Sequence, residues 1–188
     1  MLLNASSSKP MEGGPSFSLG NRAFRVLWML AWASLARWTP APLHRWRRLV
    51  LILFGAKIAK TARVYSSVDV WYPPNLEVEE HSTIGPRVIC YSQDRIVIGK
   101  RVIISQGSHL CTGSHDINDA NFQLITKPIV ISDNAWIAAE CFVGPGVNVG
   151  EGAVLGARGV AFRDLNSWTV YTGNPAQAIK NRRFRNEA

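Results

Sequence analysis

Cysteine is scarce in this chain, and the three residues present, Cys90, Cys111 and Cys141, form no Cys-X-X-Cys pair. A disulfide framework is thereby excluded, and the three read as free core thiols of a reducing compartment. Long apolar runs are missing too. Arg25 and Arg37 bracket only eleven uncharged residues, too few to cross a bilayer. Arg22 and Arg25 before an apolar stretch have the outline of a signal peptide, but it would start late, and Trp28 and Trp32 are foreign to one. Acidic residues are in deficit, 13 Asp and Glu against 21 Lys and Arg, for a net charge of +8. The surplus suits nucleic acid, a membrane surface or an acidic ligand. Because it gathers at the two ends, around Arg45–Arg48 and Lys180–Arg185, local anion sites fit better than a nucleic-acid coat.

What the chain does have is a period of six. From Ile131 to Val160 a six-residue phrase repeats five times without a break: aliphatic first, small second, small or β-branched fifth. Neither a helix nor a plain strand has this period; a solenoid of short parallel strands does. The register runs backwards through Ile98, Ile104 and Leu110, then Val78, Ile84 and Cys90, then Ile58, Val64 and Val70. The steps from Val70 to Val78 and from Cys90 to Ile98 are eight, and from Leu110 to Ile131 twenty-one. The fold expected is an all-β solenoid, a left-handed parallel β-helix with three hexapeptides per triangular coil. Its hand runs against the usual crossover rule because no packed helix imposes one.

The implied organisation is a disordered Ser-, Gly- and Pro-rich leader over 1–20 and a helical N-terminal cap over 21–56. The β-helix follows over 57–173, with a loop excursion at 116–127, and a basic C-terminal tail over 174–188. The Trp-rich, Arg-flanked cap permits shallow membrane contact, beside the plainer reading of two helices packed on the first coil. His115 closes a hexapeptide at its sixth, outward place where the chain leaves the prism, and an imidazole there suits a general base. His109, six residues earlier, falls on the preceding face.

The segments Ile-Ser-Gln-Gly-Ser-His-Leu-Cys-Thr-Gly-Ser-His-Asp, Ala-Trp-Ile-Ala, Val-Gly-Pro-Gly-Val and Tyr-Thr-Gly-Asn-Pro-Ala resemble the hexapeptide-repeat acetyltransferases. The likeness is nearest to the colanic acid biosynthesis type, within the group of galactoside, maltose and serine O-acetyltransferases, and spans roughly Pro15 to Arg183. It implies transfer of acetyl from acetyl-CoA to a saccharide hydroxyl, with a surface-polysaccharide unit as the expected acceptor and no metal. It implies His115 as catalytic base and the Ala139 main-chain N–H facing the oxyanion. Trp136 would lie along the pantetheine arm, Ala157 would meet its amides, and Arg163 and Lys180 would hold the phosphates, with Arg182 and Arg183 nearby. A homotrimer in the cytoplasm, at most peripheral to the inner membrane face, completes the picture.

Departures from the family pattern fall at Gly85-Pro86, where an asparagine serves the acceptor, and at Ser132, Ala138 and Phe162-Arg163. Acceptor specificity therefore does not carry over. Tyr91 and Asp94, beside the insertion after Cys90, are the acceptor contacts expected from position. Two other readings compete. A hexapeptide-fold zinc carbonic anhydrase would use histidines such as His81, His109 and His115, but leaves Trp136 and the basic tail without a role. A non-catalytic scaffold subunit would have no need to keep His115, a loop beside it and a CoA-type tail together.

Overall fold

The computed structural model describes residues 4–183. Its body is a left-handed parallel β-helix of about six coils. The first face stacks Lys57–Ile58, Leu76–Val78, Ile96–Ile98, Ile129–Ile131 and Asn148–Val149. The second stacks Arg63–Val64, Thr83–Ile84, Ile103–Ile104, Trp136–Ile137, Val154–Leu155 and Thr169–Thr172, and the third Asp69–Val70, Ile89–Tyr91, His109–Cys111, Phe142–Val143 and Val160–Ala161. Pairing in register, such as Ile104 with Ile84 and Ile137, piles the first-place residues into one column per face. These aliphatics are buried, and so are the fifth-place residues Ala62, Val68, Ser82, Val88, Val102 and Ser108.

From the second coil on, the tight corners turn at the fourth place of the hexapeptide, where φ is positive. Glycine supplies this at Gly107, Gly146 and Gly152, but His81, Arg87, Arg101, Asn134, Glu140 and Arg158 adopt it as well. A left-handed non-glycine residue costs roughly 1–2 kcal/mol, which the stacked coils must offset. Glycine is therefore permitted but not required at these corners, which is why the glycine pattern is the least regular part of the repeat.

The open edge of the first coil is covered by side-chain donors from α2 (Leu19–Leu35) and α3 (His44–Leu53). Trp28 and Trp32 donate their indole N–H groups to the carbonyls of Val70 and Val68, and Arg48 Nε donates to those of Ile58 and Ala59. Arg47 is fully buried. Its guanidinium donates to four oxygens, Val64 O, Thr39 Oγ1, Pro40 O and Ala41 O, and one of its nitrogens lies 3.0 Å from His44 Nδ1. His44 Nδ1 donates to the Val64 carbonyl at 2.9 Å; desolvation lowers its pKa, outweighing the raising effect of that bond, and Arg47 and Arg63 lower it further. Replacing Arg47 with Ala strands several carbonyls at once, and we expect a loss of about 3 kcal/mol or more in chemical denaturation. A variant within a few tenths of wild type would show that the cap does not depend on this residue.

At the other end, Thr169–Thr172 pairs antiparallel with Gln177–Asn181, so the start of the basic tail is a capping strand. Arg182 donates to Asn134 O and Gly152 O, binding this strand to earlier coils. Residues 184–188 of the tail lie outside the described residues. Cys90 and Cys141 are buried and Cys111 partly so, all three unpaired, and burial pushes the Cys90 thiol up to about 12.

Two expectations are corrected here. The leader over 1–20 is not structureless from Asn4 onward: Asn4 caps a helical turn, α1 (Ala5–Ser8), and α2 already starts at Leu19. Its polar composition concealed two anchors, Phe17 against Trp71 at 4.8 Å and buried Ala5, whose N–H meets Gln123 Oε1. The excursion, for its part, starts before 116. Gly113–His115 pairs antiparallel with Leu124–Thr126, so a β-hairpin leaves the prism directly after buried Thr112 and returns at Lys127. Ser114 and His115 are thus hairpin residues, not the fifth and sixth places of a coil.

Candidate active site

All three irregular steps in the repeat fall at one corner, where the third face turns into the first. In the first coil the enlargement holds the short helical turn Pro73–Asn75; in the second it holds Ser92–Arg95. In the third it grows into the hairpin. Later coils turn this corner tightly, Val143 leading to Val149 in six residues. The prism is therefore smooth except along this edge.

His115 ends the outgoing strand of the hairpin, paired with Leu124. Its Nδ1 lies 2.9 Å from the Phe122 carbonyl, which accepts its hydrogen, and its ring stacks on Phe122 at 4.3 Å and 11°. A carbonyl has only lone pairs to offer, so this contact fixes the tautomer and leaves the Nε2 lone pair free. Asp116 and Asp119 each accept from a backbone N–H two residues on, Asn118 and Asn121, which braces the hairpin tip. His109 is different. Its Nε2 is buried without a partner, between Tyr91 and Phe142, and burial lowers its pKa.

Tyr91 and Asp94 sit under the hairpin. The backbone of Gly113 lies against Tyr91 and Gln93, so closely that a side chain there would collide with Gln93 Oε1. His115, two residues on, shares that face of the strand. The Tyr91 hydroxyl accepts from Gln93 Nε2, and its ring is 5.7 Å from Trp71. Asp94 turns its carboxylate to its neighbour's N–H, at Arg95, and its own N–H donates to Thr112 Oγ1; its place is local bracing of the turn. Sequence reading missed Arg25, whose guanidinium lies 4.3 Å over Trp71 and 5.6 Å from Phe17. The signal available was position: Trp71 and Tyr72 occupy the first enlarged step of the same corner.

Trp136 lies elsewhere, on the second face, with 44% of its surface open and its N–H donating to Ser105 Oγ. Ala139 and Ala157 follow at the corner between second and third faces, one coil apart. The Gly156 and Ala138 amides on either side of the ladder are bonded, whereas the N–H groups of Ala139 and Ala157 have no acceptor among the described residues. They form a short column of free donors. Arg163 is exposed and lines a cavity of about 430 Å³ with Phe162, Tyr171 and Gln177 at the C-terminal end. Lys180 projects from the capping strand on the second face. One chain thus brings His115 together with Tyr91 and Asp94, and Trp136 into line with Ala139 and Ala157, but does not bring the two groups together. His81, His109 and His115 occupy a corner, a face and the hairpin, and no cluster of three metal-ligating side chains occurs among the described residues.

No family model matches the chain. Solved structures do. A maltose O-acetyltransferase from Clostridium difficile 630 superposes with a TM-score of 0.79 at 24% identity, covering 89% of this chain and 90% of its own. The hexapeptide-repeat acetyltransferase VCA0836 from Vibrio cholerae, solved with acetyl coenzyme A, superposes at 0.78 with 22% identity, covering 91% and 93%. The fold is that of the hexapeptide-repeat acetyltransferases. Sequence narrows this further: WcaF of Escherichia coli K12, a candidate colanic acid biosynthesis acetyltransferase, is 42% identical over 164 residues, 87% of this chain and 90% of that protein. The chain belongs to the colanic acid biosynthesis acetyltransferase family.

Proposed function

We propose that this protein transfers acetyl from acetyl-CoA to a hydroxyl of a saccharide used in surface polysaccharide synthesis. The observation that carries this reading is the imidazole of His115, oriented by a main-chain carbonyl with Nε2 free on an outward hairpin. In the reaction, Nε2 takes the hydroxyl proton as the oxygen attacks the thioester carbonyl. The tetrahedral oxyanion faces the Ala139 N–H. Its collapse breaks the C–S bond, and the CoA thiolate leaves with the proton from His115. No acyl-enzyme forms. Tyr91, beneath the hairpin, would meet the acceptor, with Arg25 and Trp71 beside it; Asp94 supports the turn that carries it.

The coenzyme would run along Trp136 and the amides of Ala139 and Ala157 toward Arg163 and Lys180. Because those groups lie away from His115 in one chain, the reading includes a homotrimer whose grooves join the two halves. It includes a cytoplasmic setting with peripheral contact at the inner membrane face, in accord with helices none of which, among the described residues, is long and apolar enough to cross a membrane. Neither a metal nor nucleic acid has a part in it.

An acceptor screen with labelled acetyl-CoA, extending to extracted lipid-linked oligosaccharides, tests the reaction; label transferred to no saccharide hydroxyl would overturn it. The phosphate assignment has its own check. Replacing Arg163 and Lys180 with Ala should weaken acetyl-CoA more than its 3′-dephospho analogue, since charge-assisted phosphate contacts are worth about 1.5–3 kcal/mol each. Equal losses for both ligands in calorimetry would remove these residues from the 3′-phosphate.

A further inference from the structure

The N-terminal cap is apolar on its outer side as well as its inner one, more than a helix pair that merely plugs a prism requires. α3 turns the charged Arg47 inward and leaves Trp46, Leu49, Ile52 and Leu53 outward, Leu53 with 79% of its surface open. α2 buries Trp28 and Trp32, while Val26, Leu27 and Leu30 stand on its outer side at helical spacing. Where the helices meet, Leu35, Trp38, Thr39, Leu43 and Trp46 line an apolar cup of about 300 Å³. Trp38 and Trp46 have already spent their indole N–H groups on Ser34 O and Leu35 O. Both rings can therefore enter an apolar phase without stranding a donor.

Charge selects the phase. No Asp or Glu occurs between Glu12 and Asp69, while that stretch holds nine Lys and Arg. Arg22, Arg37 and Arg45 are exposed beside the apolar surface. A second copy of this surface would meet the first with like charges opposed. An anionic bilayer matches both features, its acyl region taking the rings and its headgroups the guanidinium groups.

We propose that the outer faces of α2 and α3 dock the protein on an anionic lipid bilayer, lying in the interface without crossing it. The proposal deepens the peripheral-contact part of the functional reading and does not depend on acetyl transfer. In a trimer of parallel prisms the three caps would face one plane, adding avidity.

The test is flotation of the full chain, without acetyl-CoA, on vesicles of equal parts phosphatidylglycerol and phosphatidylcholine against pure phosphatidylcholine. Wild type should float with the anionic vesicles and lose much of that binding in high salt. Leu49→Ser with Leu53→Ser, and separately Arg37→Glu with Arg45→Glu, should each weaken partitioning by about tenfold or more. Both pairs are solvent-exposed, so unchanged thermal midpoints certify the fold. His115→Ala should float like wild type, so a failed acetylation assay and a failed docking assay are separate results. Wild type that ignores anionic vesicles, or leucine variants that float undiminished, would overturn the proposal. So would leucine variants that alter only the oligomeric state in sedimentation, since the occupant would then be a second copy.

Discussion

His115→Ala should lower kcat by about 100-fold or more, the usual contribution of a positioned general base, with the fold intact. The fold should survive because the hairpin is held by main-chain pairing, Gly113 with Thr126, Ser114 with Ile125 and His115 with Leu124, which an alanine preserves. What is lost is a ring set by two contacts, the Phe122 carbonyl at Nδ1 and the Phe122 face. His109→Ala provides the contrast. Its Nε2 is enclosed between Tyr91 and Phe142 with no route to a substrate proton, so turnover should change little. Steady-state acetyl transfer, with circular dichroism on each variant, makes the comparison. Near-wild-type turnover in the His115 variant would take the base assignment away.

Why this residue could be read from the chain, while its setting could not, follows from the range of the interactions. The hexapeptide phrase is local: each first-place residue, from Ile58 to Ala161, announces its own burial, and stacking only repeats the statement. The C-terminal and N-terminal caps were foreseeable as needs of the open edges. The hairpin was hidden because Gly113–His115 continues the rhythm of small residues, and only its partner, Leu124–Thr126, shows that the strand has left the coil. Buried Arg47 was hidden for a related reason. Its four oxygen acceptors are scattered from Thr39 to Val64, and an arginine without them reads as solvated charge. The leader follows the same logic, its order resting on contacts with Trp71 and Gln123 far along the chain.

Mixing inactive His115→Ala subunits with Trp136→Ala subunits should restore activity that neither variant has alone. His115 is within three residues of Thr112, where the hairpin leaves the corner between third and first faces, and so cannot stray far from that corner. Trp136 points out from the second face, which lies opposite that corner in a triangular section. A thioester laid along Trp136 is then out of reach of the same chain's imidazole. In the homotrimer we propose, side-by-side packing of three prisms would set one subunit's hairpin against its neighbour's second face in a closed ring. In an equal, random co-assembly, about one quarter of the grooves would join an intact hairpin to an intact second face, and activity should return to about that fraction of wild type. Co-refolding from denaturant, assayed at limiting acetyl-CoA, provides the measurement. A trimer that shows no rescue would confine each site to one chain, and a fully active monomer in sedimentation would end the shared-site reading.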